Sequence, residues 1–200
     1  MPSVATETMS RPRGNARVRL LTAGTSLRIV LVPVLMALIL ADGPGGEDTK
    51  SLVAFALFVA AAGTDFLDGY LARRWSVTTT LGSFLDTTAD KLLVSGTLIA
   101  LVAIERVSPW VCAIIIGREL VIMGLRGAVA ADGTVMQPSL LGKWKTTVQF
   151  VAIALAVLRI GDPLAGLYID EWVMLFAAAI TLASAFHYLS RFATSFTEPA

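Results

Sequence analysis

The stretch SLVAFALFVAAAGTDFLDGYLARR, residues 51–74, decides the fold. It opens as an unbroken apolar block and closes on Asp65, Asp68, Arg73 and Arg74. A bilayer-spanning helix needs about 20 mostly apolar residues, and this block supplies them. Five more blocks follow the same pattern, at 20–41, 82–104, 109–130, 145–160 and 171–192. Of the 200 residues, 56% are hydrophobic, and the mean hydropathy is +0.73. Those values exclude an ordinary soluble domain. The chain is expected to be an all-α, polytopic membrane protein with six transmembrane helices.

The breaks between the blocks carry turn chemistry. Ala41-Asp42-Gly43-Pro44-Gly45-Gly46 ends the first, and Ser108-Pro109 separates the third from the fourth. Ala131-Asp132-Gly133 and Gly161-Asp162-Pro163 end the fourth and fifth. Pro33 predicts a kink inside the first span. Residues 1–16, rich in Ser, Thr, Pro, Arg and Gly, read as a disordered tail, and 17–195 as one membrane-embedded domain. The basic start followed by an apolar run resembles a signal peptide. The five further blocks and the polar tail in front of it argue against cleavage.

Net charge is +1, but the charges are segregated. Arg11, Arg13, Arg17 and Arg19 crowd the start, which the positive-inside rule places in the cytoplasm. Six spans then put 75–81, 131–144 and the C-terminus on the same side, where Arg73, Arg74, Lys143, Lys145 and Arg191 lie. The opposite loops hold Lys50, Arg106 and Arg159, diluted by acids. Trp75, Trp110, Trp144 and Trp172 fall near span ends, as does His187, and an aromatic belt accounts for the tryptophans. Cys112, the single cysteine, excludes an intrachain disulfide and reads as a packed thiol. No nucleic-acid partner is expected.

The chemistry lies in Gly63-Thr64-Asp65-Phe66-Leu67-Asp68-Gly69-Tyr70-Leu71-Ala72-Arg73-Arg74, followed by Gly82-Ser83-Phe84-Leu85-Asp86-Thr87-Thr88-Ala89-Asp90-Lys91. Asp65 and Asp68 share one helix face, and Asp86 and Asp90 share another. If the second helix ends near Trp75 and the third begins near Thr80, Asp68 and Asp86 each sit about 10 Å along their helices from the turn. A short connection makes the two helices antiparallel neighbours. Four carboxylates would then meet in one notch near the cytoplasmic surface. Intramembrane acids need partners. Hard divalent cations suit an all-oxygen site, and two of them would clamp a pyrophosphate. The bland alternative pairs the acids with Arg73, Arg74 and Lys91 as interfacial anchors.

The pattern Asp-x-x-Asp-Gly-x-x-Ala-Arg, then Gly-x-x-x-Asp-x-x-x-Asp, over residues 65–90, resembles the signature of the CDP-alcohol phosphatidyltransferases. That resemblance implies transfer of a phosphatidyl group from CDP-diacylglycerol, a membrane lipid, at a site facing the cytoplasm. It implies that Asp65, Asp68 and Asp86 hold Mg²⁺ or Mn²⁺, two ions in all. Asp90 would act as general base and touch a metal as well. Gly69, Ala72, Arg73 and Gly82 would line the CDP pocket, with Thr25 and Arg28 helping to hold the nucleotide. A homodimer is also implied.

The acceptor is read from other residues. Arg118 and Glu119 lie mid-block in the fourth span, and Arg126 follows on roughly the same face. Lys143 and Lys145 open the fifth. Together they form an anion pocket larger than the aspartates require, as a phosphorylated acceptor would demand. Against this, Arg118 and Glu119 can form an internal ion pair, and the lysines can be interfacial anchors. Arg118-Glu119…Leu125-Arg126, Gly142-Lys143-x-Lys145-Thr146-x-x-Gln149 and Leu21-Thr22…Arg28…Pro33 resemble the branch of the family whose acceptor is sn-glycerol 3-phosphate. Thr87, where that branch has Pro, is a departure. Inositol 1-phosphate and phosphatidylglycerol are the alternative acceptors. A cation transporter is the rival from another class, since intramembrane acids often bind transported ions. A third reading, a purely structural membrane protein, leaves the acids without chemistry.

Overall fold

The computed structural model describes the backbone of residues 12–44, 48–75, 80–131 and 140–197, and side chains for residues 23–44, 49–64, 82, 84–130 and 144–190. The described residues form α1 (Pro12–Asp42), α2 (Asp48–Trp75), α3 (Thr80–Ala103), α4 (Pro109–Ala131), α5 (Leu140–Leu158) and α6 (Ile169–Thr197). Among them there is no strand. One isolated bridge, Leu164 to Leu167, closes a turn between α5 and α6.

The helix ends follow from local chemistry. Proline opens α1 and α4 at the first helical position, where its missing N–H costs nothing. Gly43 follows α1 with φ 73°, the left-handed conformation that closes helices. α3 ends in the same way, but with Glu105 at φ 60° in the glycine-favoured position. The Arg106 N–H reaches the Leu101 carbonyl at 2.9 Å and the Glu105 N–H reaches Val102 at 3.0 Å. At the start of α6, the Tyr168 N–H donates to Glu171 Oε2 at 2.7 Å, half of a capping box.

α2 ends at Trp75 and α3 begins at Thr80, as the depth estimate assumed. α1 begins at Pro12, before its apolar block and inside the stretch expected to be a tail, while residues 1–11 fall outside the description. Hydropathy marks only the apolar part of a helix, and backbone hydrogen bonding continues into the polar flanks. Ala23–Asp42 in α1 and Ile169–Ser190 in α6 are long and apolar enough to cross a membrane by length and composition. The apolar runs of α3 and α4 are interrupted by Asp86, Asp90 and Lys91, and by Arg118, Glu119 and Arg126. Hydroxyls along the helices are satisfied internally: Thr97 Oγ1 donates to the Leu93 carbonyl at 2.7 Å and Thr181 Oγ1 to Ala177 at 2.6 Å.

α1 packs along both α2 and α3, and among the described residues α2 and α3 touch only sparsely. The α2 stretch expected to pair with α3, residues 65–75, has its side chains outside the described residues, and the described contacts run mainly through α1. The reason is visible on α1, where Thr25, Arg28, Val32, Leu35 and Ile39 recur every three or four residues as one buried stripe. Gly96 of α3 lets that stripe approach closely, since a Cβ there would stand 2.6 Å from Val32 Cγ1. α5 packs on α6, α2 and α3, and α4 on α3 and α6. Leu93, Leu98, Leu101, Ile115, Ile153 and Val157 fill the centre, and Cys112 is a buried thiol, as expected.

A buried ion-pair cluster ties the end of the bundle where α1, α3 and α5 finish and α6 starts. Arg106, 1% exposed, donates to Asp42 Oδ2 at 2.8 Å, to the Gly43 carbonyl at 3.0 Å and to the Val157 carbonyl at 2.8 Å. Arg159 lies 3.7 Å from both Asp170 and Glu171 and stacks on Tyr168. Two of the three cations in these loops are therefore neutralised by acids.

Candidate active site

The site begins where the α1 stripe turns polar. Below Val32 the same face carries Arg28 and Thr25, both buried. Arg28 Nη1 donates to Asp86 Oδ1 at 3.2 Å. Asp86 lies on the α3 face that continues through Ala89 and Leu93 into the core, so burial of that face fixes its direction. Its side chain is nevertheless 40% exposed, which leaves carboxylate surface open to a ligand. Asp90, one turn on, is 24% exposed, and its Oδ2 stands 3.9 Å from Lys91 Nζ.

Lys91 bridges Asp90 to a second cluster. Its ammonium donates to Glu119 Oε2 of α4, and Lys145 of α5 donates to Glu119 Oε1. Arg118 Nη1 reaches Glu119 Oε1 at 3.2 Å. The Arg118 fork also donates through Nη2 to Ser184 Oγ of α6 at 2.9 Å, and its carbon stands 5.9 Å from the centre of the Tyr188 ring. One buried carboxylate, 7% exposed, thus gathers three cations from three helices. Burial of this kind is tolerated only when the charges are paired and hydrogen-bonded. The cluster stays net positive, and Lys91 ties it to Asp90.

Several expected residues meet here and others do not. Arg28 and Asp86 pair directly. Arg118 and Lys145 share Glu119, so the internal ion pair foreseen for Arg118 exists, but as one arm of a larger network. Arg126 is exposed on α4 about two turns beyond Arg118 and makes none of the cluster's described contacts. Asp65, Asp68, Gly69, Ala72 and Arg73 lie in α2 and Lys143 in α5, with side chains outside the described residues. Among the described residues no group of three or more His, Cys, Asp and Glu side chains is arranged around a metal position. Glu119 as the common partner, and Ser184 and Tyr188 as supports for Arg118, were not legible beforehand. A lone acid inside an apolar block was the only signal.

A buried cationic cluster beside two carboxylates on a helical scaffold is the furniture of phosphoryl chemistry. The CDP-alcohol phosphatidyltransferase family model matches residues 22–183, and the chain belongs to that family. It is a transferase of that class. A Bacillus subtilis relative named CDP-diacylglycerol--glycerol-3-phosphate 3-phosphatidyltransferase is 36% identical over 181 residues, covering 84% of this chain and 91% of the relative. A Mycobacterium tuberculosis relative named probable phosphatidylglycerophosphate synthase is 40% identical over 180 residues, covering 89% of this chain and 84% of the relative. A rice relative named cardiolipin synthase (CMP-forming) is 36% identical over 154 residues, covering 68% of this chain and 46% of the relative.

Proposed function

We propose that this protein transfers the phosphatidyl group of CDP-diacylglycerol to sn-glycerol 3-phosphate, releasing phosphatidylglycerophosphate and CMP. The observation that carries the reading is the cluster in which Glu119 gathers Arg118, Lys91 and Lys145 beside Asp90. A net positive, desolvated cluster with an arginine fork suits the dianion of a phosphate monoester. The names of the Bacillus and Mycobacterium relatives support the same acceptor. The rice relative's name keeps phosphatidylglycerol as a second reading. A phosphodiester carries one charge and uses such a cluster less fully.

Asp86 and Asp90 offer carboxylate oxygens from one α3 face, and an all-oxygen set suits hard divalent ions. With Asp65 and Asp68 of α2 they would hold Mg²⁺ or Mn²⁺, which would supply positive charge against the pyrophosphate. Arg28 stands against Asp86 and fixes its carboxylate from the α1 side. Together with Thr25, Gly69, Ala72, Arg73 and Gly82 it is assigned to the CDP group. Arg118 and Lys145, aided by Lys143, bind the acceptor phosphate, and Arg126 adds positive charge about two turns away on α4. Asp90 takes the proton from the acceptor hydroxyl. The hydroxyl oxygen attacks the phosphorus that carries diacylglycerol, the phosphorus–oxygen bond to CMP breaks, and CMP leaves with the electron pair.

We further propose that the six helices all span the membrane, with both termini and the site on the cytoplasmic side. Large apolar side chains are exposed along the described helices, among them Val30, Leu52, Ile99, Val121, Val151 and Phe186, as a lipid-facing surface requires. The pairing of Arg106 and Arg159 with acids leaves the opposite end, with Arg73, Arg74 and Lys143, as the basic one.

The test is CMP release by purified protein in detergent, with CDP-diacylglycerol, Mg²⁺ and each of glycerol 3-phosphate, inositol 1-phosphate and phosphatidylglycerol. Release is expected with glycerol 3-phosphate and lost in Asp90→Asn. Release with another acceptor replaces the acceptor and keeps the chemistry. Ion uptake into liposomes without CMP release from any acceptor would make the protein a transporter.

A further inference from the structure

α5 carries Lys145 and Gln149 one turn apart on one face. Gln149 is 3% exposed, and its side-chain Nε2 has no hydrogen-bond partner among the described residues. Helical side chains lean toward the helix N-terminus, onto the preceding turn. The Gln149 amide therefore leans toward the turn of Lys145, whose ammonium binds Glu119. Arg118, which shares Glu119 Oε1 with Lys145, has a buried Nε that also lacks a partner among the described residues. Two buried N–H donors without partners among the described residues thus belong to an arginine of this net positive cluster and to the residue one turn beyond its lysine on α5. Such donors are rare in folded chains and call for an occupant.

The arginine donor is explained by an anion. The amide carries no charge, and an uncharged donor next to a phosphate site recognises a different atom of the same ligand. We propose that Gln149 is a specificity-determining residue whose amide donates to the non-reacting hydroxyl of a short polyol phosphate, with the phosphate on Arg118 and Lys145. This rests on the phosphorylated-acceptor reading above and deepens it. In glycerol 3-phosphate the middle hydroxyl takes no part in bond formation, so its contact with Gln149 selects the acceptor without entering the chemistry. A site that hydrogen-bonds a substrate hydroxyl rejects the analogue lacking it, because the buried donor is then left unmatched.

The experiment compares glycerol 3-phosphate with 1,3-propanediol monophosphate, which keeps the phosphate and a reactive primary hydroxyl and lacks only the middle one. CMP release is measured for the full-length wild type, Gln149→Leu and the near-isosteric Gln149→Met. The wild type is expected to favour glycerol 3-phosphate by about 5- to 100-fold in kcat/KM, the value of one hydrogen bond together with one unmatched buried donor. Either variant should lose that factor on glycerol 3-phosphate, stay within about twofold on the diol phosphate, and keep the KM for CDP-diacylglycerol. A wild type that does not discriminate overturns the assignment. So do equal losses on both acceptors, and so does full retained discrimination in the variant that folds. A wild type that releases CMP with neither phosphate but does so with another acceptor sinks the acceptor reading itself, a separate outcome.

Discussion

Replacing Glu119 by Gln removes one negative charge and almost no volume. It takes away the shared partner of Lys91, Lys145 and Arg118. A pair at the 3.2 Å of Arg118 and Glu119 has a gross attraction of roughly 5 kcal/mol at an effective dielectric of about 20. Desolvation offsets much of that attraction while the network is intact. Once the carboxylate is gone, the cations stay buried and repel one another. Breaking a buried network in this way costs about 3–5 kcal/mol. In a chain of this length each kcal/mol lowers Tm by about 2–4 °C, so a fall of roughly 6–20 °C is expected in detergent. Lys145→Met added to Glu119→Gln removes one of the stranded cations. It should recover part of the lost Tm and leave acceptor-dependent CMP release low, because Lys145 is assigned to the phosphate. A Tm within about 2 °C of wild type for Glu119→Gln would refute the idea that this carboxylate holds the cluster together.

Three further outcomes are expected. Asp90→Asn should lower CMP release by about 10²- to 10⁴-fold, the usual contribution of a positioned base, with Tm little changed. Arg106→Met strands the buried Asp42 and should cost about 3–5 kcal/mol in thermal unfolding, whereas Arg106→Met with Asp42→Leu should recover most of it. Gly96→Ala drives a Cβ to 2.6 Å from Val32 Cγ1 and should cost about 1–3 kcal/mol, relieved by adding Val32→Ala. Equal Tm values for Gly96→Ala with and without the second change would mean that α1 and α3 are not in contact there.

The aspartate signature was legible because its residues lie close in sequence and helical spacing alone puts them on shared faces. Asp86 and Asp90 do lie one turn apart on α3, and α2 ends at Trp75 and α3 begins at Thr80, where depth reasoning needed them. The helix blocks were legible for a related reason, since apolar length is a local property of the chain. Their ends were less so, as the early start of α1 at Pro12 illustrates.

Glu119 shows where local reading stops. From the sequence its visible partner is Arg118, one residue away. The lysines that reach it stand 28 and 26 positions off in the chain, on helices whose rotation about their own axes no periodicity fixes. The same holds for Arg28 against Asp86, 58 positions apart, and for Arg106 against Asp42, 64 apart. The contact of α1 with α3 belongs to this group as well. It depends on whether a missing Cβ at Gly96 admits Val32, a fit between surfaces that only packing can decide. The sequence by itself determined the class of helix, the family signature and the residue types of the chemistry. The tertiary structure decided which buried charges neutralise one another, because an ion in a low-dielectric interior must find its partner in space and not along the chain.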